Sequence, residues 1–545
     1  MAPIKTIAWR SFMYAYGLLA GLLWILKAVL NGSALQRPSK KAKHELAAAR
    51  DKLWNLSLEP LPGFKHAFFT TDAGVSLHYV VSSRPVSSSP NLVILLHGFP
   101  DSWALWRDFL QEERLEDDTV YVAMDLPGYG GSDNLEEYNA YNVLEAVASF
   151  VLGMRDEHTS ADGVDSLERG QVLLVSHDWG AAVACRLAAE APQLADHFIV
   201  TSVVHPSLVY ANIQSRISSA RQMLCTFSHH PLSSRPRILR NAITTLSPLA
   251  TQLLKSHYIF VFLLPPALLR IISTLVGSWF LQAVHRSASA NVDVVEAIAS
   301  SVGPAPEQCT EAPSTAADPP PGKGGLTYPA AVRQRARASD AGLSQKIRYY
   351  REGLTFGEWR KSLQTILALS ALEPSAPMLQ PRKDSAASTG SGKSTGGTNG
   401  PASGSLHHRR RSSTPGARPR SNSLAVGGTV FDPNPHGAFK APATLVVGMR
   451  DLAFEWRLAL EGIAEYLGKG GAVVSLEGLG HWFVRDEEGL RVLGRIVRNA
   501  LGEMDGVDGA SAAVVNGKGA FGVGATPAVA GGLRNVPGVK VLWEG

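Results

Sequence analysis

The residues from Val172 to Ala181 constrain this chain more than any other segment. Val172, Leu173, Leu174 and Val175 form an apolar run of the kind that makes a buried strand. The run stops at Ser176-His177-Asp178-Trp179-Gly180, and an alanine-rich helical stretch follows from Ala181 to Ala188. A strand, a tight turn and a helix, with small residues two positions either side of the central one, make an elbow that presents the central side chain as a nucleophile. The small flanks matter because the turn is strained and strand and helix pack closely there. The central residue is Asp178. Ser176 lacks such flanks, having Leu174 and Asp178 two positions away. A carboxylate in this position points to attack on carbon and an alkyl ester, not to acyl transfer.

Other segments repeat the alternation of strand and helix. His66–Thr71 and Val75–Ser82, joined through Asp72-Ala73-Gly74, read as a hairpin. Asn91–Leu96, Thr119–Met124, Phe198–Val204, Thr444–Val447 and Ala472–Leu476 read as strands separated by helical patterns. Such an order implies parallel βαβ units and a sheet covered on both faces. Residues 58–207 and 430–502 are expected to be two parts of one sheet domain, with 208–373 inserted as a helical cap. Pro265-Pro266 and Arg270 interrupt the apolar section from Leu253 to Leu281, which favours a buried or membrane-surface cap helix over a second span. The Pro/Ala-rich stretch 303–325 and the Ser/Gly/Arg-rich stretch 374–429 read as disordered inserts, and 503–545 as a flexible tail.

Phe12 to Leu30 is apolar except for Lys27, and is long enough to cross a bilayer. Trp9, Tyr14, Tyr16 and Trp24 supply interfacial aromatics. A signal peptide cleaved near Gly32-Ser33-Ala34 is the alternative, although the apolar stretch is long for one. Residues 1–33 therefore read as a membrane anchor that meets lipid through residues 12–30, and 34–57 as a basic connector. More Lys and Arg follow the span (Arg37, Lys40, Lys41, Lys43, Arg50) than precede it (Lys5, Arg10). The positive-inside rule then puts the large domain in the cytosol, and a single-pass protein of the endoplasmic reticulum is expected. The triplets Asn31-Gly-Ser33 and Asn55-Leu-Ser57 fit the glycosylation pattern and argue weakly the other way. The net charge of +5 sits largely in short runs, Lys40-Lys41-Lys43 and Arg409-Arg410-Arg411. Without interleaved aromatics these do not make a nucleic-acid surface. Cys185, Cys225 and Cys309 have neither a pairing pattern nor metal-ligand spacing, which suits a reducing compartment and no bound metal.

Function in open α/β sheets gathers at the carboxyl ends of strands. Four expected strand ends carry His97-Gly98-Phe99-Pro100, Asp178, Asp451 and His481. The order nucleophile, acid, histidine is that of α/β-hydrolases. Together with His97-Gly-Phe-Pro-Asp-Ser-Trp103, Asp125-Leu-Pro-Gly-Tyr-Gly-Gly-Ser132 and His177-Asp-Trp-Gly180, it makes the chain resemble the epoxide hydrolase branch of that fold over residues 60–375 and 430–500. Ser176 departs from the pattern, since the family has glycine there, and a tighter turn is expected.

The resemblance implies an α/β-hydrolase fold, a mostly parallel sheet with an inserted helical cap. It implies a lipophilic epoxide as substrate, a vicinal diol as product, and no metal or organic cofactor. Asp178 would be the nucleophile, His481 the base that activates water, and Asp451 the acid that orients its imidazole. Asp432 and Asp486 are rivals to Asp451, but neither follows a core strand. Backbone N–H groups of Phe99 and Trp179 would form the oxyanion hole. Two cap tyrosines would protonate the leaving oxygen. Tyr349-Tyr350-Arg351 matches the family segment and picks Tyr350, with Tyr349 its rival, and the segment around Tyr258 supplies the second. His97, Pro100, Trp103, Trp179 and Trp482 are expected to line the substrate pocket. A haloalkane dehalogenase would use the same triad and is the enzymatic alternative. A fluoroacetate-type enzyme would want arginine where Trp179 stands. A non-catalytic membrane-bound binding protein on a hydrolase fold is the third reading, though every triad residue type is present.

Overall fold

The computed structural model describes residues 2–32, 39–83, 90–112, 118–159, 170–288, 293–309, 326–338, 340, 342–372, 435–502, 533 and 536–544. Among the described residues nine strands make one sheet: β1 (Phe64–Thr70), β2 (Ser76–Ser82), β3 (Asn91–Leu96), β4 (Thr119–Met124), β5 (Val172–His177), β6 (His197–Thr201), β7 (Ala443–Gly448), β8 (Ala472–Leu476) and β9 (Val539–Glu544). Their order is β1-β2-β4-β3-β5-β6-β7-β8-β9. The run from β4 to β8 is parallel, while β1, β2 and β9 pair antiparallel at the edges. Buried on both faces, the central strands need apolar residues at every position rather than at alternate ones. Along β3, Leu92, Ile94 and Leu96 enter one core, and Val93 and Leu95 the other.

Two differences from the sequence reading concern the segments expected to be disordered. The tail's last part is β9, which closes the sheet against β8, while 503–532 lie outside the described residues. Of the insert expected at 303–325, residues 303–309 are packed: Arg50 donates from Nε to the Gly303 carbonyl (2.9 Å) and from Nη2 to that of Pro304 (2.6 Å), and Cys309 is buried. Residues 310–325, and the whole of the insert expected at 374–429, lie outside the described residues. Composition registers few apolar residues; it does not register that backbone carbonyls can be held by a half-buried arginine or a strand edge.

Helices α1 (Ala2–Leu30) and α2 (Lys40–Trp54) precede the sheet, and α3 (Ala140–Thr159) and α4 (Trp179–Glu190) lie between its strands. Ser39 caps α2 by accepting from Ala42 N–H. Among the described residues between β6 and β7 are the helices α5 (Pro206–Thr226), α6 (Arg235–Lys255), α7 (His257–Phe262), α8 (Pro266–Ala288), α9 (Val294–Val302) and α10 (Leu363–Leu372). Leu263 to Pro265 separate α7 from α8, which starts at Pro266, where a missing N–H breaks no helical bond. Helix α11 (Glu487–Ala500) follows β8 and is capped by Asp486, which explains that aspartate without catalysis. Ile7–Leu30 of α1 is long and apolar enough to cross a membrane.

The Asp125–Ser132 motif has a structural role. Fully buried Asp125 accepts from Trp103 N–H (2.7 Å), Gly131 N–H (2.8 Å) and His78 Nδ1 (2.8 Å). Burial opposes its charge, but His78 and the Gly131 amide outweigh it and hold its pKa below the usual carboxylate range. Asp125→Ala strands three buried donors and is expected to lower stability by about 3–5 kcal/mol, read from the midpoint of urea unfolding. A loss under about 1 kcal/mol would show that the loop does not depend on this carboxylate.

Candidate active site

The parallel register brings the strand ends together. Leu96 of β3 pairs with Ser176 of β5, so the loop after β3 lies against the elbow after β5. The approach is close enough to exclude side chains. A Cβ on Gly98 would lie 2.5 Å from Asp178 Oδ1, and one on Gly180 would overlap the carbonyls of Leu96 and His97. Asp178 itself sits at φ 50° and ψ −114°, a conformation costly for a residue with a side chain. Ser176 fits where glycine was expected, because its hydroxyl donates to the Ile199 carbonyl of β6 (3.0 Å).

Asp178 precedes the first turn of α4 but makes no side-chain capping bond to that helix. Its Oδ1 instead accepts from the Phe99 N–H (2.7 Å), and the Trp179 N–H also donates to the carboxylate. The two backbone donors expected to form an oxyanion hole thus converge on this one group. Asp178 Oδ2 lies 3.8 Å from His481 Nε2. His481 Nδ1 lies 2.7 Å from Asp451 Oδ2, and Asp451 is buried with its Oδ1 taken by Ala453 N–H (2.6 Å). Asp432 lies outside the described residues. Lys255 Nζ donates to the Asp451 carbonyl (3.0 Å), a support with no signal in the sequence. The His481 carbonyl accepts from His177 Nε2 (3.0 Å) and Ser202 Oγ (2.6 Å), which fixes the backbone of the histidine.

The electrostatics follow from this geometry. Burial opposes the imidazolium of His481, but the charge and hydrogen bond of Asp451, with Asp178, outweigh it and push its pKa up to about 9. Burial raises the Asp178 carboxyl above its usual range, and His481 and the two amides oppose that shift without cancelling it. The two shifts have the same source: each group's proton affinity is raised by the other's charge or by burial in one small, largely dry site.

Opposite the carboxylate stand two phenols. Tyr350 ends a short turn (Ile347–Tyr350), and its ring lies edge-on to Trp179 at 4.7 Å and to Phe99 at 5.6 Å. Tyr258 is on α7 and is hydrogen-bonded to Tyr350. Burial raises both phenol pKa values well above the ordinary one, and the charge of Asp178 adds to the shift. Both are held as neutral donors. Tyr349, the rival, donates its hydroxyl to the Pro127 carbonyl (3.0 Å) and is buried.

Not all the expected pocket residues converge. Trp179 faces Tyr350. Trp482 packs on the His481 ring (4.6 Å) but turns its indole N–H to Asp101 (2.8 Å). His97 commits both ring nitrogens to backbone, Nδ1 to the Gly98 carbonyl (2.9 Å) and Nε2 to Leu126 N–H (3.0 Å), so it clamps the loop. Pro100 offers its carbonyl to Lys346 Nζ (3.2 Å). Trp103 is a correction. Its indole is buried against Trp54 (6.3 Å) and His66 (6.2 Å), in the core on the other face of the sheet, because the loop turns back there into a short helical turn capped by Ser102. Residues absent from the sequence reading fill the gap. Phe262 of α7 reaches Tyr350 (5.2 Å) and Phe99 (5.4 Å), and Phe280 of α8 reaches Phe262 (5.7 Å). Only their aromatic character in an apolar helix could have drawn attention to them.

Residues 91–223 match the family model for the alpha/beta hydrolase fold. That stretch holds the Phe99 loop and Asp178, but not Asp451 or His481. Epoxide hydrolase 3 of Xenopus tropicalis is 30% identical over 197 residues, 36% of this chain and 40% of its own length. Epoxide hydrolase 4 of Mus musculus is 29% identical over 208 residues, 38% of this chain and 52% of its own length. Epoxide hydrolase B of Mycobacterium tuberculosis is 38% identical over 115 residues, 21% of this chain and 29% of its own length. The aligned stretch spans about half the length, or less, of these curated relatives. The chain thus has the α/β-hydrolase fold, and over these stretches it is similar in sequence to epoxide hydrolases.

Proposed function

We propose that this protein hydrolyses lipophilic epoxides to vicinal diols through an ester on Asp178. The observation that carries the reading is the facing pair: a carboxylate joined to a His–Asp couple on one side, and two hydrogen-bonded phenols on the other. An epoxide oxygen leaves as an alkoxide, a poor leaving group that needs a proton, and a neutral phenol in an apolar pocket supplies one. A halide needs none.

Asp178 Oδ1 is occupied by the Phe99 N–H, so Oδ2 is the attacking atom. It forms a bond to an epoxide carbon as that carbon's C–O bond breaks, and the freed oxygen takes a proton from Tyr350 or Tyr258. Water then gives a proton to His481 Nε2 and attacks the ester carbonyl carbon. The oxyanion on Oδ1 is held by the Phe99 and Trp179 N–H groups, where two preorganised donors act in a site of low dielectric. The tetrahedral adduct collapses and expels the diol as an alkoxide, which takes the proton from His481; the carboxylic acid left on Asp178 returns its proton to the tyrosine phenolate, and the carboxylate is restored. Asp451 stabilises the imidazolium throughout.

Tyr258→Phe and Tyr350→Phe are each expected to slow ester formation about tenfold, and the double variant about a thousandfold, because each phenol can replace the other as donor. Single-turnover rates of epoxide consumption measure this. A double variant that keeps the wild-type rate would place the proton donor elsewhere.

Helix α1 is a membrane span in this reading, with the catalytic domain on the cytosolic side of the endoplasmic reticulum and lipid against residues 12–30. The reading as a whole is tested by product analysis on the full-length protein. A 1,2-epoxyalkane should yield the 1,2-diol, and a 1-bromoalkane no bromide. Bromide release without diol would make the enzyme a dehalogenase, and silence with both would leave a binding protein.

A further inference from the structure

Between β7 and the short helical turn Trp456–Ala459, the chain from Asp451 to Glu455 forms neither strand nor helix, so its backbone groups need partners from elsewhere. They find them on the cap. Lys255 Nζ donates to the carbonyls of Asp451 (3.0 Å) and Phe454. Gln252 Nε2 donates to the Ala453 carbonyl (2.9 Å), and Gln252 Oε1 accepts from the Glu455 N–H (2.7 Å). Gln252 and Lys255 are three residues apart in the last turn of α6, and so lie on one face of it. Two cap side chains thus hold four backbone groups of the acid's own loop.

That loop meets the His–Asp couple at further points. The Ala453 N–H donates to Asp451 Oδ1 (2.6 Å), which leaves Oδ2 to His481 Nδ1 (2.7 Å). The Phe454 ring lies 6.0 Å from the His481 ring. On the cap side, Gln252 Nε2 also donates to Ser256 Oγ (2.6 Å), at the junction of α6 and α7. Tyr258, two residues past that junction, is one of the two phenols, and its bond to Tyr350 and contact with Phe262 (5.7 Å) hold it independently of the acid loop.

We propose that Gln252 and Lys255 are positioning residues that set the Asp451 carboxylate against His481, so that the cap segment bringing a phenol to the substrate also aligns the acid on the sheet. The inference rests on the epoxide reading and adds residues to its second half. Ester hydrolysis, which needs the His481 base, depends on this latch. Ester formation, which needs Asp178 and the phenols, does not.

The sign of the expected pH effect follows from the groups around His481. Asp451, Asp178 and Asp101 raise its pKa, and Asp101 is itself paired with Arg485 (2.6 Å). His177 is neutral above about 3, and Tyr258 is held neutral by burial. Lys255 is the cation that α6 adds. Lys255→Met keeps the length of the side chain but removes its donor and its charge, and the two losses act oppositely. A carboxylate that turns from the imidazole withdraws the support that raises its pKa, so the free base forms at lower pH. Loss of a nearby cation by itself would favour the imidazolium and move the titration to higher pH.

The test is single-turnover kinetics of full-length protein with a 1,2-epoxyalkane, following epoxide consumption and diol release across pH. In Lys255→Met, ester hydrolysis is expected to slow about tenfold at its plateau while ester formation stays within about twofold, the scale on which a misplaced group acts on its own step. The rising limb of hydrolysis should move to lower pH. Lys255→Arg should restore most of the rate. Gln252→Met, which leaves the Lys255 charge in place, should move the limb the same way, and it carries the test if Lys255→Met does not fold. A limb that stays or moves up, or an equal slowing of both steps, would overturn the proposal. If the wild type consumes no epoxide, the catalytic reading fails separately, and nitrogen NMR of histidine-labelled protein, assigned with His481→Gln, then decides. A lower His481 midpoint in either Met variant would uphold the latch, and an unchanged or higher one would remove it.

Discussion

Asp178→Ala is expected to lose at least about 10⁴-fold in kcat while remaining folded, the scale on which removing a covalent nucleophile acts. No neighbour can take over. Asp451 is buried and occupied by His481 and the Ala453 amide, and Asp101 is buried with Trp482 and Arg485 on its oxygens. Ser176 donates to the Ile199 carbonyl, away from the site. The fold should survive because Asp178 makes no capping bond to α4 and its burial raises rather than lowers its pKa, so the site does not depend on the charge for cohesion. Activity and circular dichroism on the same preparation check the prediction. A folded variant retaining more than about a hundredth of wild-type turnover would refute an ester on this residue.

His481→Gln separates the two halves of the reaction. Ester formation uses Asp178 and the phenols, so it should proceed. Hydrolysis needs the imidazole, so the ester should accumulate. The expected record is one equivalent of epoxide consumed, then a stop, with the intact mass raised by the mass of the epoxide and the increment on the peptide holding Asp178. Steady turnover should fall about 10³- to 10⁴-fold.

The wild-type pH profile has a defined sign. In the free enzyme His481 titrates near 9 because Asp451 and Asp178 together outweigh burial. Once Asp178 is an ester its charge is gone, so the imidazole loses its proton at lower pH, between the ordinary 6.5 and about 9. Hydrolysis should therefore rise with pH through that window. The single equivalent consumed by His481→Gln should form at a rate without this rising limb, since it needs only an ionised Asp178 and protonated phenols. A variant that turns over steadily, or one whose adduct sits on another peptide, would remove His481 or Asp178 from these roles.

The local sequence alone determined the sheet and the elbow. Strand residues buried on both faces are apolar almost throughout, and that left short unbroken runs such as Leu92 to Leu96 and Val172 to Val175. Gly98 and Gly180 stand where no side chain fits, and a carboxylate between small flanks marks its own chemistry. Asp178, Asp451 and His481 each follow such a strand, so their positions were legible although 303 residues separate the first from the last.

Tertiary structure decided what has no periodic or compositional trace. Trp103 sits in one motif with the loop whose Phe99 N–H meets Asp178, yet the chain turns back and buries its indole across the sheet. Which of two adjacent tyrosines faces the carboxylate depends on Pro127 capturing the hydroxyl of Tyr349, a contact across 222 residues. A Gly/Ala/Val-rich tail becomes β9 because β8 has an open edge to pair with. The N-terminal helix reads as lipid-facing all round, because hydropathy cannot tell a leucine facing lipid from a tryptophan facing a cap. Only packing separates Leu22 and Leu23 from Trp24, and joins the N-terminal helix to the ring layer behind Tyr350.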